Sequence, residues 1–255
     1  MIRVCIAGVT GWIGKPLAEA IQSSDDLKLV AAVARRAVGE SIGDVTISGS
    51  IDEALMIASD VFVDYTSAEA VKSNVLAAVH ARRHVVVGSS GLSDADYSDI
   101  DLAARERDVG VIAVGNFAIS AALLQRFAVE AAKHMPSWEI IDYAHDSKVD
   151  APSGTARELA WRMQEAGEPQ RKVAIEDTVG DRGARGARIS TSQVHSLRLP
   201  GQTIGVEVLL GREDERLTIR YEGGPGAEPY LQGTLLAIRR VAEFRGVVRG
   251  LDRLL

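Results

Sequence analysis

Short, almost unbroken apolar runs alternate with stretches of helical spacing through the first half of the chain. The runs are IRVCIA (2–7), LKLVAAVA (27–34), DVFVDY (60–65), HVVVGSS (84–90) and VGVIAVG (109–115). Between them, 12–21, 68–81 and a stretch rich in Asp, Ala and Arg ending at Arg107 read as helices. Strands without a polar alternate face are covered by helices on both sides. Repeated βα units with short loops therefore predict an α/β fold, a doubly wound parallel sheet.

The rhythm changes after Asn116. A long amphipathic helix is expected over 119–133, a strand at WEIIDYAH (138–145) and a helix over 153–166. GDRGARGAR (180–188) reads as a solvated or mobile loop. Strand-like segments follow at 189–199, 203–211 and 216–222, with Pro200-Gly201 and Arg212-Glu213-Asp214 as turns. Consecutive strands with short turns predict antiparallel pairing and a second, α+β domain. A last helix is expected from Glu228 into the tail.

Composition narrows the class. The 255 residues carry 29 Lys+Arg against 35 Asp+Glu, a formal charge of −6, with 46% hydrophobic residues. This is an ordinary globular balance, and it argues against binding nucleic acid through a large positive charge. A single cysteine, Cys5, excludes an intrachain disulfide and a thiolate zinc cluster. His80, His84 and His134 lack metal-ligand spacing, so no metal is expected. The N-terminus is too short in its apolar stretch, and too broken by glycine, for a secretory signal. The run 109–124 reads as strand, loop and helix start rather than a membrane span. A cytoplasmic protein without membrane contact is the expectation.

Gly8-Val9-Thr10-Gly11-Trp12-Ile13-Gly14 joins the first strand to the first helix. Gly8 permits a tight turn, Gly11 lets a pyrophosphate approach the backbone, and Gly14 lets the helix pack close to the sheet. The phosphates would rest on unpaired N–H groups at the positive helix end. The end of the second strand reads Ala34-Arg35-Arg36, with no acid before Glu40. An acid there would bind a ribose 2′-hydroxyl, whereas an arginine can clamp a 2′-phosphate. NADPH is therefore the expected cofactor, with NADH possible. The alternative is that these arginines merely solvate a loop.

The second constellation is Lys148-Val149-Asp150-Ala151-Pro152-Ser153-Gly154-Thr155-Ala156. Ser153, Gly154 and Thr155 open a helix whose backbone N–H groups and hydroxyls suit a carboxylate. Lys148 can add a cation and a proton. A plain helix cap beside a surface lysine would need fewer of these residues.

Together these stretches resemble the dihydrodipicolinate (4-hydroxy-tetrahydrodipicolinate) reductases of lysine biosynthesis. The likeness runs through GVTGWIG, VDYTS (63–67), VVGSSGLS (86–93), GNFAIS (115–120), KVDAPSGTA (148–156), VHSLRLPG (194–201) and LQGTLLAIRRV (231–241). It implies a Rossmann domain at 1–117, completed by a C-terminal helix at 228–255, and a substrate-binding and oligomerisation domain at 118–227. It also implies a homotetramer acting on a small anionic substrate. Carried over, Gly8, Thr10, Gly11, Trp12 and Ile13 line the pyrophosphate, and Arg35 meets the 2′-phosphate. Thr66, Gly88, Ser90 and Phe117 lie along the nicotinamide half. His145, Lys148, Gly154 and Thr155 hold substrate carboxylates, with Ser153 beside them. Hydride leaves nicotinamide C4 and Lys148 gives the proton.

The chain departs from that pattern on the substrate side. The family has two adjacent histidines four and three residues before the lysine, and the first is held to be its acid/base group. Here the pair reads Ala144-His145. His145 is open to three readings: a substrate contact, which we favour, an acid replacing the missing one, or a solvated loop residue. Gly205-Val206-Glu207 and GGPGAEPY (223–230) also differ from the family's His-Gln-Glu and from a stretch bearing a substrate arginine. A different cyclic imine or unsaturated acid is the runner-up substrate. A non-catalytic NADP(H) sensor is a further alternative, which Lys148 and the anion site disfavour. Short-chain dehydrogenases need Tyr-x-x-x-Lys, which no tyrosine here satisfies.

Overall fold

A computed structural model describes residues 1–255, which divide into two compact units: Met1–Phe117 with Ala227–Leu255, and Ala118–Gly226. The first unit begins β1 (Ile2–Ala7), α1 (Gly14–Gln22), β2 (Leu27–Val33), β3 (Ser41–Ile42), β4 (Val45–Ser48), α2 (Ile51–Leu55), β5 (Val61–Asp64), α3 (Val71–His80), β6 (His84–Val87), α4 (Asp94–Arg107) and β7 (Gly110–Ala113). β1 pairs in parallel with β2 and β5, β5 with β6, and β6 with β7. The four residues of β5 and of β7 are all buried, as unbroken apolar runs require. Phe62, Val75, Val79, Val85, Ile100 and Val111 pack one face of this core. The hairpin β3–β4 and the one-turn-plus α2 were not expected; segments of two to five residues are too short to show a period.

His84 opens β6 half-buried, and its Nδ1 accepts the Gly110 N–H at 3.0 Å. Burial, and then the Arg245 charge, lower its pKa from the ordinary value. The folded chain thus binds this proton less tightly than the unfolded one, whose histidine titrates at about 6.5. The contribution is complete above that pH and is lost as the pH falls below it through the lowered folded value. We expect the melting temperature to drop between pH 7.5 and pH 5.5. In His84→Asn, whose amide oxygen can take the same N–H without titrating, the slope should flatten. Equal slopes would assign the effect to other groups.

The second unit holds α5 (Ile119–Ala132), β8 (Ser137–Ala144), α6 (Gly154–Met163), β9 (Ala187–Ile189), β10 (Ser192–Arg198), β11 (Ile204–Arg212) and β12 (Glu215–Gly223). Its sheet runs β12-β11-β8-β10-β9. Along β8, Trp138, Ile140, Asp142 and Ala144 are buried while the alternate residues are partly exposed. Leu124, Ala128, Leu159 and Met163 of the two helices pack on that covered face. The expectation of successive antiparallel strands from 189 onward is corrected in part. β11 and β12 do pair that way, but β8 lies between β10 and β11, and β10 runs parallel to β8. The reason is the helix: β8, α6 and β10 form a crossover unit, whose strands must be parallel. The 180–188 stretch is not simply a loop. Residues 182–185 make a 3-10 turn, Ala187–Ile189 pair with β10, and Arg185 donates to Glu139 at 2.6 Å.

The chain then returns to the first unit as α7 (Glu228–Arg240) and β13 (Gly246–Arg249). One helix from 228 into the tail was expected, and this too is corrected. The helix ends at Arg240, and Val247-Val248 add a parallel strand beside β7. A β-branched pair after a glycine at φ +78° suits a strand, and it covers an edge that would otherwise stay open. The first unit's sheet order becomes β13-β7-β6-β5-β1-β2-β4-β3.

Candidate active site

Gly8 has φ +83°, and a Cβ there would overlap the Tyr65 carbonyl oxygen. A Cβ on Gly14 would overlap the Gly8 carbonyl oxygen, so glycine at 14 seats α1 on the turn. Gly11 and Thr10 are exposed, and the Gly11 N–H donates to Gly8 O at 2.9 Å. The N–H groups of Trp12, Ile13 and Gly14 have no acceptor on the chain, and Ile13 caps α1 without a side-chain bond. This is an anion cradle at a helix N-terminus and fits a pyrophosphate. Trp12 stands exposed, edge-on to Tyr230 at 5.5 Å between ring centres. Arg35 and Arg36 are exposed past the end of β2, and the Arg35 charge helps lower the pKa of Glu69.

At the ends of β5 and β6 the structure brings together Thr66, Gly88 and a residue sequence reasoning missed, Ser89. Thr66 N–H donates to Ser89 Oγ at 2.7 Å, and both hydroxyls donate to the buried Asp64. A Cβ on Gly88 would overlap the Tyr65 ring. Tyr65 hydrogen-bonds Thr234 at 2.7 Å, and burial pushes its pKa up. Ser90 is exposed and is not in this network. Phe117 is only 2% exposed and lies 6.0 Å from the Tyr65 ring, so its side chain supports Tyr65 rather than lining an open surface.

In the second unit, Asp142 is the focus that the sequence did not reveal. It is fully buried and accepts four bonds: Ser153 N–H (2.9 Å), Ser153 Oγ (2.6 Å), Ser196 Oγ (3.0 Å) and Arg198 Nη2 (2.8 Å). Arg198 Nη2 also donates to Asp150 O at 2.6 Å. The Ser153 hydroxyl is buried, donates to Asp142 and accepts the Ala156 N–H, which fixes the start of α6. Thr155 is buried as well, and the partly exposed Gly154, whose N–H has no acceptor, faces outward. Lys148 Nζ pairs with Asp150 at 2.7 Å, with a third of its side chain exposed. His145 is exposed, its Nδ1 2.8 Å from Asp146 and 2.9 Å from Ser147 Oγ.

No acid/base group stands at position 144, since Ala144 is fully buried. Tyr143 points to the other face of β8. It donates to Glu207 at 3.0 Å, and Arg220 stacks 4.6 Å from its ring centre. Burial and then Glu207 raise its pKa. His195 is satisfied by Glu139 at 2.7 Å. No group of three or more His, Cys, Asp or Glu is arranged to hold a metal, and no helix is long and apolar enough to cross a membrane.

Comparison with known proteins agrees over the whole length. The family model described as "Dihydrodipicolinate reductase, N-terminus" matches residues 2–117, and the one described as "Dihydrodipicolinate reductase, C-terminus" matches 120–255. A 4-hydroxy-tetrahydrodipicolinate reductase of Moorella thermoacetica is 38% identical, covering 100% of this chain and 98% of the relative. One from Thermosynechococcus vestitus is 35% identical, covering 100% and 97%. The solved dipicolinate-bound dihydrodipicolinate reductase from Paenisporosarcina sp. TG-14 superposes with a TM-score of 0.82 at 29% identity, covering 100% of both chains. The glycine turn with its unpaired helix N–H groups, the lysine before a helix start and these end-to-end matches have one meaning: the chain is a nicotinamide-dependent oxidoreductase that belongs to the dihydrodipicolinate reductase family.

Proposed function

We propose that this chain reduces 4-hydroxy-tetrahydrodipicolinate, or the dihydrodipicolinate formed from it by loss of water, to tetrahydrodipicolinate in lysine (diaminopimelate) biosynthesis. One observation carries the reading. A single short segment, 145–154, holds an amine at Lys148 and an unpaired helix-start N–H at Gly154, in a chain that aligns end to end with reductases of that name. The Gly154 end of α6 receives a substrate carboxylate, which the helix dipole favours. His145 is exposed on the same segment and makes a second contact to substrate. Lys148 Nζ leaves Asp150 for the substrate and delivers the proton. Reduced nicotinamide, when bound, supplies the hydride from C4. On this reading the enzyme is a cytoplasmic homotetramer.

The cofactor is NADPH, with NADH a weaker alternative, because Arg35 is exposed just past β2, where a 2′-phosphate would lie and where no acid precedes Glu40. Arg35→Ala should weaken NADPH binding about tenfold or more, the worth of one charge-assisted bond, and leave NADH almost unchanged. Titration with each dinucleotide checks this. An unaltered preference would move the 2′-phosphate contact elsewhere.

The function is tested by following NADPH oxidation with freshly generated dihydrodipicolinate beside a panel of other cyclic imines. A second reading, another cyclic imine or unsaturated acid as substrate, is favoured by the closed, chemically inert position 144. Faster turnover of a panel member would establish it. Tight NADPH binding with no turnover of any imine would indicate a sensor.

A further inference from the structure

We propose that Asp64 is a positioning residue for the nicotinamide half of the cofactor site, acting through the loops that follow β5 and β6. The inference rests on the cofactor assignment proposed above and deepens it.

Asp64 ends β5 at zero exposure, after Val61, Phe62 and Val63. A buried carboxylate is costly unless its lone pairs are filled. Here they are filled without any cation. Oδ1 accepts from Thr66 N–H (3.1 Å), Thr66 Oγ1 (2.8 Å) and Ser89 Oγ (2.5 Å), and Oδ2 accepts from Asn74 Nδ2 (2.9 Å). The Asp64 carbonyl also takes the Gly88 N–H at 2.9 Å. Asn74 donates as well to Thr66 Oγ1 at 3.2 Å, and Ser89 Oγ accepts the Thr66 N–H. One residue therefore ties the loop after β5, the middle of α3 and the loop after β6.

Packing alone does not call for this arrangement. A fourth apolar residue would continue β5 and avoid the desolvation of a charge, which often stabilises more. The cluster lies at the carboxyl ends of two parallel strands, where open α/β sheets bind their ligands. It immobilises Thr66 completely: the N–H is shared by two acceptors, and the hydroxyl both donates and accepts. Thr66, Gly88 and Ser90 are the residues assigned to the nicotinamide half, and Asp64 sets the spacing of the loops that carry them. Thr66 then offers a ligand its methyl group, its carbonyl and one remaining hydroxyl lone pair, but no donor.

The test separates the two halves of the cofactor. Affinities of the full-length chain are measured by calorimetry for NADPH and for 2′,5′-ADP, which carries the adenosine half alone. Asp64→Asn keeps the shape but turns an amide donor toward existing donors. It should weaken NADPH about tenfold, as expected when charge-assisted bonds are lost, and leave 2′,5′-ADP within about twofold. Ser89→Ala should shift NADPH in the same direction by a smaller factor, and Ser89→Thr should restore it. This pair decides the matter if Asp64→Asn does not fold. Equal losses for both ligands would show a merely structural role and overturn the proposal, as would unchanged NADPH affinity in folded variants. A wild-type chain that binds neither ligand would overturn the cofactor assignment itself, and this inference with it.

Discussion

Lys148→Ala should lower kcat on dihydrodipicolinate by about 10²–10⁴-fold while NADPH affinity stays as it is. That range is what a positioned proton donor contributes when nothing replaces it. Neither position 144, a buried alanine, nor Tyr143, which donates to Glu207 on the opposite face of β8, is placed to replace it, and His145 is assigned to a substrate contact; activity retained in Lys148→Ala would make His145 the donor instead. The fold should tolerate the change. Lys148 is partly exposed, and its one ion pair, to Asp150, leaves behind a carboxylate that is 40% exposed. Exposed pairs of this kind contribute little to stability. Cofactor affinity should not move, because the glycine turn, its free N–H groups and Arg35 belong to the other unit. Lys148→Arg sharpens the test. It keeps the positive charge for a substrate carboxylate but gives up its proton far less readily. KM should return toward the wild-type value while kcat stays low. Steady-state kinetics with a parallel NADPH titration distinguish the outcomes, and a matching loss of NADPH affinity in Lys148→Ala would refute the division of roles.

The parallel sheet was legible because its central strands are unbroken apolar runs separated by glycine or helix caps, which is local information. Strand order in the second unit was not. Whether β8 inserts between β10 and β11 depends on where α6 carries the chain, and three similar strand patterns look alike whichever neighbour they choose. β13 was hidden for a related reason: Val247-Val248 is too short a signal until the open edge of β7 is there to receive it. At the site, the glycine turn and Lys148 were readable because backbone conformation and charge are fixed by residue type. Asp64 and Asp142 escaped notice because each falls inside a segment read as a strand, and no local pattern says which distant hydroxyls, amides or guanidinium will turn onto it. Asp142 did carry a signal, since it falls in phase with Trp138 and Ile140 on the covered face of β8. Ser153 was recognised as belonging to a helix start, but no local pattern says that its hydroxyl turns inward to Asp142.

Gly8→Ala should damage the first unit twice over. The backbone at residue 8 is left-handed, which by itself costs an alanine about 1–2 kcal/mol. The added Cβ would also overlap the Tyr65 carbonyl oxygen, a backbone atom that cannot rotate away. Relief requires the turn to separate from the chain beyond β5, an overpacking cost of about 1–3 kcal/mol more. Gly39→Ala is the matched control: its φ is +85°, and nothing lies within 4 Å of the added carbon. It should lose only the conformational part. For a protein of this size each kcal/mol corresponds to about 2–4 °C, so Gly8→Ala should melt several degrees below Gly39→Ala. Saturating NADPH should raise the melting temperature of the wild type and of Gly39→Ala, because a ligand bound only by the folded form stabilises it. Gly8→Ala should lose that rise, since moving the turn moves the unpaired N–H groups of Trp12, Ile13 and Gly14 that follow it. If the two alanine variants melt together and respond to NADPH alike, the close approach of Gly8 to Tyr65 is not what shapes the phosphate cradle.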